Sequence, residues 1–290
     1  MTTLTLLLPE LARTETTPAL AHWLARGDRL AQAKPGREGQ LRDCFEFIGA
    51  SLPVAALTRT LDANDAAGPI WLRADPAYAV ADAITGRLLA CGDLGLTQVE
   101  SEEFARALRP LFGDAGFPLE ATRPWRWYLR CPADARLPQF AAPESALGDD
   151  LTRHLPSGDN ERQWRHLFNE AQVILHNHPV NARRLQRGLL PANTVWFWGA
   201  GRLPEWVRAA YTRVASSDEV AIALAKLAKI PVVEPRTALA ELAADEAVLI
   251  DANAVPELGS ARFGAIDLRF RSGEHVQYKP WHRLRFWRRA

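Results

Sequence analysis

The 290-residue sequence has few cysteines and no long hydrophobic run. Its three cysteines, Cys44, Cys91 and Cys131, are far apart and lack the spacing of a zinc site. This pattern argues against a disulfide framework and favours reduced, buried thiols. No stretch reaches the ~20 apolar residues that span a bilayer, and the start MTTLTLLLPEL lacks the basic residues of a secretion signal. We therefore expect a cytoplasmic protein without a membrane segment.

The sequence also lacks a strong charge of either sign, since its formal net charge is +1. Such a balance gives no general attraction to nucleic acid, and so it argues against nucleic acid as a partner. The positive charge is almost entirely arginine, because the lysines are only Lys34, Lys226, Lys229 and Lys279. Guanidinium groups suit phosphate and carboxylate ligands, although abundant arginine is equally explained by genome composition.

The C-terminal run KPWHRLRFWRR interleaves basic and aromatic residues, a pattern that can bind nucleic acid or an anionic surface. It is equally explained by an edge strand whose tryptophans pack inward. We favour the edge strand because the chain as a whole is not basic.

Apolar segments alternate between strand and helix patterns along the chain, which predicts an α/β fold. We expect an α/β core from residues 1–92 and 160–290, with a smaller insert domain at 93–159. Among the elements that we predict are helices at 41–52, 101–111, 161–176, 205–214, 218–229 and 237–242.

The densest polar segment of the sequence is HNHPVNARRLQRGLLPANTVWFWGAG, residues 176–201. Pro179 fits the first turn of a helix, and Gly188 is suited to end that helix with a positive φ. A strand at 195–198 then leads into a Gly-x-Gly corner. Ligands of open α/β sheets bind beyond the carboxyl ends of strands, where free N–H groups beside arginine suit an anion.

This segment predicts a ligand site for an anionic small metabolite, without metal or cofactor. The expected ligand-binding residues are His178, Asn181, Arg184, Asn193, Gly199 and Gly201. The alternatives are a solvated arginine face and a tight glycine turn. His176 and His178 could share a metal in an extended segment, but no nearby Cys or Asp completes a ligand set.

The segment resembles the HPVN-x-x-R-x-x-x-G-x-x-PAN-x-x-W-x-x-G-x-G run of archaeal-type, cofactor-independent phosphoglycerate mutases. The matching positions are His178, Pro179, Val180, Asn181, Arg184, Gly188, Pro191, Ala192, Asn193, Trp196, Gly199 and Gly201. The resemblance implies an alkaline phosphatase-like mixed sheet flanked by helices, with a smaller α+β insert. Over nearly the whole chain, the sequence is also similar to bacterial regulatory proteins of the RpfE type.

The chain departs from the mutases where their chemistry lies, since they use two divalent metals and a serine nucleophile. Where they have a metal-binding Asp-Gly turn, the first strand here runs into Pro9-Glu10-Leu11. Their P-G-S-D nucleophile segment corresponds to Pro35-Gly36-Arg37-Glu38, with arginine in place of serine. The segment AVLIDANAVPELG contains Asp251 and lacks their histidines. The resemblance therefore implies a shared fold without the mutase reaction.

Together these features predict a non-catalytic regulatory protein that binds a phosphorylated or carboxylated metabolite, or a protein partner. One alternative is a divergent, metal-dependent phosphomutase or phosphatase with a rearranged site. Another is a protein- or nucleic-acid-binding module that acts through the basic C-terminus.

Overall fold

The computed structural model describes residues 2–81, 86–235, 246–256 and 263–285. The strands in these ranges are β1 (Thr3–Leu8), β2 (Asp28–Arg29), β3 (Ile70–Ala81), β4 (Gly86–Cys91), β5 (Leu119–Arg123), β6 (Arg126–Cys131), β7 (Thr194–Gly201), β8 (Arg213–Ala215), β9 (Val232–Val233), β10 (Ala247–Asp251), β11 (Ala265–Phe270) and β12 (His275–Tyr278). The α-helices are α1 (Pro18–Arg26), α2 (Arg37–Arg42), α3 (Val54–Asp62), α4 (Gln98–Asp114), α5 (Pro143–Ala146), α6 (Glu161–His176), α7 (Pro179–Gln186) and α8 (Glu219–Leu227).

The chain folds as two compact units, and the second is inserted into the sequence of the first. Unit 1 comprises Met1–Ser51 and Pro204–Ala290, and unit 2 comprises Leu52–Leu203. The inserted unit is thus longer than the 93–159 domain that the sequence predicted. The physical reason is strand pairing: β3 and β7, which we assigned to the core, pair with each other, and β3 also pairs with β6 from within 93–159.

Unit 1 is built on a seven-stranded mixed sheet in the order β2-β12-β11-β1-β10-β8-β9. The strands from β11 to β9 are parallel to their neighbours, whereas β12 and β2 are antiparallel. The predicted α/β class, with a mixed sheet and helices, is confirmed.

Strand β1, with the run TLTLLL, is buried on both faces, as is typical of a central parallel strand. Leu4, Leu6 and Leu8 join the core of unit 1. Helix α1 begins where Thr17 accepts a hydrogen bond from the backbone N–H of Leu20, as its sequence predicted.

Unit 2 contains an antiparallel sheet organised by the long strand β3. One part of β3 pairs with β6 and another with β4, while β7 runs antiparallel along it from Trp71 to Ala77. A core of buried aromatic side chains, among them Phe104, Phe112, Trp164 and Phe197, packs helices α4 and α6 against this sheet.

The long helices of unit 2 follow local sequence signals closely. Helix α6 spans the predicted residues 161–176. Helix α4 begins earlier than predicted, because Thr97 rather than Ser101 caps it. Thr97 accepts from the N–H of Glu100, whose carboxylate in turn accepts from the N–H of Thr97.

Two predicted helices of unit 1 are wrong. Helix α2 ends at Arg42, and residues 43–51 form turns instead of the helix expected at 41–52. No helix occupies 205–214 either. The backbone N–H and carbonyl of Arg208 bond to those of Glu46 at 2.9 and 2.8 Å in an isolated bridge, rather than to helical partners. The helix predicted at 237–242 lies outside the described residues. Among the described helices, none is both long and apolar enough to cross a membrane.

Candidate functional site

The ligand-motif segment, residues 176–201, forms the end of α6, helix α7 and strand β7. Pro179 starts α7, and Gly188 has a φ of 69° just past its end, as the sequence predicted. The six expected ligand residues therefore lie in or directly beside α7 and β7.

Arg184 is fully buried and hydrogen-bonded inside unit 2. Its guanidinium donates to the carbonyls of Leu190 and Leu94 at 2.8 and 2.6 Å, and to that of Gly95 at 3.3 Å. It also donates to the Glu100 carboxylate at 2.8 Å. These bonds tie α7 to the start of α4, so the side chain acts as an internal brace.

The two asparagines of the segment also bond to the backbone. Asn181 donates to the carbonyls of Leu175 and Ala192 and accepts from the N–H of Ala192. Asn193 bonds to both the N–H and the carbonyl of Ala79 on β3. Each side-chain amide therefore takes the place of a backbone hydrogen-bond partner that a neighbouring strand or helix would otherwise supply.

His178 caps α7, since its Nδ1 accepts from the N–H of Val180 at 3.3 Å. Its ring centroid lies 4.8 Å from that of Phe104. Burial lowers the pKa of His178, with Arg183 adding to the shift and Glu103 opposing it. A neutral imidazole in this position contributes no positive charge to an anion site.

Gly199 and Gly201 lie at the far end of β7 from Asn193, about 20 and about 26 Å away at ~3.3 Å per residue. There they pack against the start of α3: a Cβ added to Gly199 would lie 2.8 Å from the Cβ of Val54, and one added to Gly201 would lie 2.5 Å from that of Pro53. The structure thus gathers His178, Asn181 and Arg184 on one short helix but does not bring the glycines to them. Ligand binding by these residues stays a prediction, whereas their contacts support a structural role.

Replacing Gly201 with alanine is expected to destabilise the protein by about 1–3 kcal/mol, because the new methyl group overlaps Pro53. Gly113→Ala in helix α4 is the matched control. No atom lies within 4 Å of its added Cβ, and alanine favours a helix over glycine by up to about 1 kcal/mol. Urea unfolding measures both, and equal effects of the two changes would contradict the packing explanation.

A second polar group, the strand-end cluster, lies in unit 1 and consists of Arg37, Ser216, Asp218 and Asp251. Asp251 ends β10, Ser216 follows β8 and Asp218 caps α8, so all three stand at the carboxyl ends of parallel strands. Arg37 begins α2 directly after Gly36, whose φ of 100° favours glycine.

The Arg37 guanidinium holds both carboxylates of the strand-end cluster. It meets Asp251 through two bonds, of 2.5 Å from Nη2 and 3.2 Å from Nη1, and its Nε lies 3.4 Å from Asp218. Burial by itself lowers the pKa of Arg37, but the charges and hydrogen bonds of Asp218 and Asp251 outweigh it, so the pKa is raised. The side chain is therefore a fixed positive charge.

Neighbouring polar groups orient this ion pair. Ser216 donates its hydroxyl to Asp251 at 2.8 Å and accepts from the N–H of Asp218 at 2.9 Å. Gln40 accepts from Arg37 at 3.2 Å and donates to the carbonyls of Leu8 on β1 and Arg269 on β11. The cluster is thus anchored to four neighbouring parallel strands.

The two divalent metals that the mutase resemblance implies do not fit these residues. A two-metal site needs several carboxylate or imidazole ligands around its two metal ions. Within the described residues, no three His, Cys, Asp or Glu side chains lie together in a way that could hold a metal ion. The two carboxylates of the strand-end cluster instead accept from a guanidinium.

Sequence reasoning missed a buried ionic network in unit 2. Strand β6 buries Trp127 and Leu129 on one face, and Arg126 and Tyr128 on its other face are buried too. Arg126 lies 3.0 Å from Asp62, and the Tyr128 hydroxyl lies 2.8 Å from the same carboxylate. The alternation of the segment WRWYLR correctly indicates a strand, but it does not reveal that a helix covers the polar face.

A bidentate ion pair lies beside this network, between Arg73 and Asp75 on β3. The structure places both within the strand, joined by bonds of 2.9 and 2.7 Å. The indole N–H of Trp198 donates to Asp75 at 2.7 Å, and this contact ties β7 to β3.

The described part of the C-terminal run also differs from the expected edge strand. Residues Pro280–Leu284 form a 3₁₀ turn after β12, and Trp281 is half exposed. Arg285 lies over the Trp281 ring, with 4.6 Å between its Cζ and the ring centroid, and it pairs with Asp28. Residues 286–290 lie outside the described ranges, so a binding role of this run stays a prediction.

No family model matches the chain. It is 40% identical over 62 residues to a probable 2,3-bisphosphoglycerate-independent phosphoglycerate mutase of Geobacter sulfurreducens, and 39% identical over 66 residues to the mutase of Methanothrix thermoacetophila. These segments are 21% and 23% of this chain but only 16% and 17% of the relatives. The expected similarity to the mutases is therefore confirmed for part of the chain, and the RpfE-type assignment stays a prediction.

Two solved structures match most of the chain. A cofactor-independent phosphoglycerate mutase of Thermoplasma acidophilum matches at 16% identity with a TM-score of 0.41, over 96% of this chain and 90% of its own. A protein of Pyrococcus horikoshii matches at 14% identity with a TM-score of 0.43, over 87% and 70%.

Proposed function

We propose that this chain is a non-catalytic, phosphoglycerate mutase-like protein that acts in regulation by binding rather than by phosphoryl transfer. The observation that carries the proposal is Arg37. It stands where the mutase resemblance puts the serine nucleophile, and it is held by Asp251 and Asp218. The Arg37 guanidinium is protonated, so residue 37 cannot serve as the nucleophile that accepts a phosphoryl group.

The ligand class that we propose is a phosphorylated or carboxylated metabolite, as the similarity of residues 176–201 to the mutases suggests. The bonds of Arg184 and Asn181 within unit 2 imply that these side chains stabilise the fold near a bound ligand rather than contact the ligand directly. We expect binding without turnover.

Phosphorus NMR of the full chain with 3-phosphoglycerate and Mn²⁺ tests the catalytic half of the proposal. We expect neither 2-phosphoglycerate nor inorganic phosphate to form, while the Geobacter mutase converts the same sample. Calorimetric titration with phosphoglycerates tests the binding half. Turnover that exceeds a protein-free blank would contradict the proposal, and so would a failure to bind any member of a panel of phosphorylated and carboxylated metabolites.

A second candidate function is a divergent phosphomutase or phosphatase. The Ser216 hydroxyl favours it, because this group lies at the strand ends and donates to Asp251. If the NMR experiment shows turnover, Ser216→Ala is expected to abolish it under this alternative. Turnover that survives the change would exclude Ser216 as the nucleophile.

A further inference from the structure

The strand-end cluster keeps its two carboxylates although it lacks the ligands for two metals. Two carboxylates close to each other repel, and each loses hydration when it is partly buried. The side chains of Asp251 and Asp218 are 19% and 30% exposed. Some positive charge must therefore compensate them within the folded protein.

We propose that the Arg37 guanidinium is a built-in cation that takes the place of divalent metal at the strand-end cluster, so that the cluster needs no metal ion and takes none up. The inference rests on the proposed function, since it concerns the same residues, but it makes a separate claim about cations.

Three of the four carboxylate oxygens at the cluster accept hydrogen bonds, and the fourth lies in an ion pair with Arg37. Asp251 uses both oxygens for Arg37, and one of them also accepts from Ser216. Asp218 has one oxygen near the Nε of Arg37, while the other accepts from the N–H of Ala221 in the first turn of α8. The positive end of that helix adds to the compensation. A metal ion would have to displace these donors.

Arg37 also differs from an ordinary surface ion pair. Its side chain is only 14% exposed, and its geometry toward Asp251 is the bidentate one in which arginine outperforms lysine. Gln40 also accepts a hydrogen bond from the Arg37 guanidinium and so restricts its position. The arrangement has the fixed position and multiple contacts of a bound cation, whereas exposed pairs are held loosely.

The first experiment needs no variant of Arg37. We expect the natural full chain to bind no Mn²⁺ at millimolar concentration by electron paramagnetic resonance, and its melting temperature to be the same in EDTA and in Mn²⁺. Stoichiometric Mn²⁺ that is lost in Asp251→Asn would overturn the inference.

The second experiment is a double-mutant cycle read as melting temperature. Arg37→Gln leaves two uncompensated carboxylates. Adding Asp251→Asn to Arg37→Gln should therefore lower the melting temperature less than Asp251→Asn lowers it in the natural chain. Arg37→Lys keeps the charge and should lose less than Arg37→Gln. Arg13→Gln is the control, since this arginine of unit 1 has a side chain that is 78% exposed. Strictly additive losses would overturn the inference.

Arg37→Gln by itself could fail to fold, and the double variant then decides the question. Recovery of folded protein when Asp251→Asn is added supports charge compensation, and no recovery overturns it. These outcomes are independent of catalysis. If the chain binds Mn²⁺ that is lost in Asp251→Asn but shows no turnover, the inference is refuted and the proposed function stands. If the metal-free chain shows turnover, the proposed function is refuted and the inference stands.

Discussion

Replacing Arg184 with alanine is expected to lower the free energy of unfolding by about 3–5 kcal/mol, because the change leaves the Glu100 carboxylate without its buried partner. It also removes the donors to the carbonyls of Leu94 and Leu190, which lie on two different segments. Urea unfolding followed by tryptophan fluorescence measures the loss.

The neighbouring Arg183 offers a matched control on the same helix. It pairs with Glu103 at 2.6 Å, but its side chain is 53% exposed, so Arg183→Ala should cost about 1 kcal/mol or less. Similar losses for the two variants would contradict the view that Arg184 is an internal brace. If Arg184→Ala instead weakened metabolite binding and left stability unchanged, the ligand role predicted from the sequence would be supported.

The Arg184 contribution should also depend on pH in a defined direction. Burial raises the pKa of Glu100, but bonds to Thr97 and Arg184 outweigh it, so the pKa is lowered from its ordinary value of 4.5. A group with a lowered pKa stabilises the fold above its unfolded pKa and loses that effect as the pH falls through its folded pKa. The stability difference between the natural chain and Arg184→Ala should therefore stay constant near neutrality and shrink in acid.

Local signals in the sequence predicted the elements whose ends they determine. The bounds of α6 at 161–176 and the Pro–Gly bounds of α7 depend on signals within one helix, and both are confirmed. The non-helical course of residues 205–214 is different, since it depends on the pairing of Arg208 with Glu46, which is distant in sequence. Long-range pairing overrides the local helix preference there, and the spacing of apolar residues in the sequence does not indicate such pairing.

The same distinction between local signals and long-range contacts applies to the polar residues. A polar residue with ligand chemistry looks the same in the sequence whether it faces a ligand or braces the fold. The motif arginine of α7 proved to be fully buried, because three carbonyls and a carboxylate converge on it from other segments. The pairing of Arg37 with Asp251 likewise joins segments that are distant in sequence, and the sequence did not predict it.

The second large effect is expected for Asp75→Asn in the buried pair of unit 2. Asp75 is 1% exposed and Arg73 is 6% exposed. The change leaves the guanidinium charge without a buried counter-charge, which typically costs about 3–5 kcal/mol. The amide cannot accept two bonds from Arg73 and one from the Trp198 indole at the same time.

Asp114→Asn is the control for this change, since Asp114 is exposed at the end of α4 in the same unit. It should alter stability by at most about 0.5 kcal/mol. Because Trp198 reports directly on the pair, Asp75→Asn should also shift the tryptophan emission of the folded protein before any denaturant is added. A variant with unchanged emission and natural stability would mean that the pair is not needed to hold β7 against β3. If Asp75→Asn is destabilised and Arg73→Met in the same chain restores part of the loss, the cost arises from the uncompensated charge rather than from lost packing.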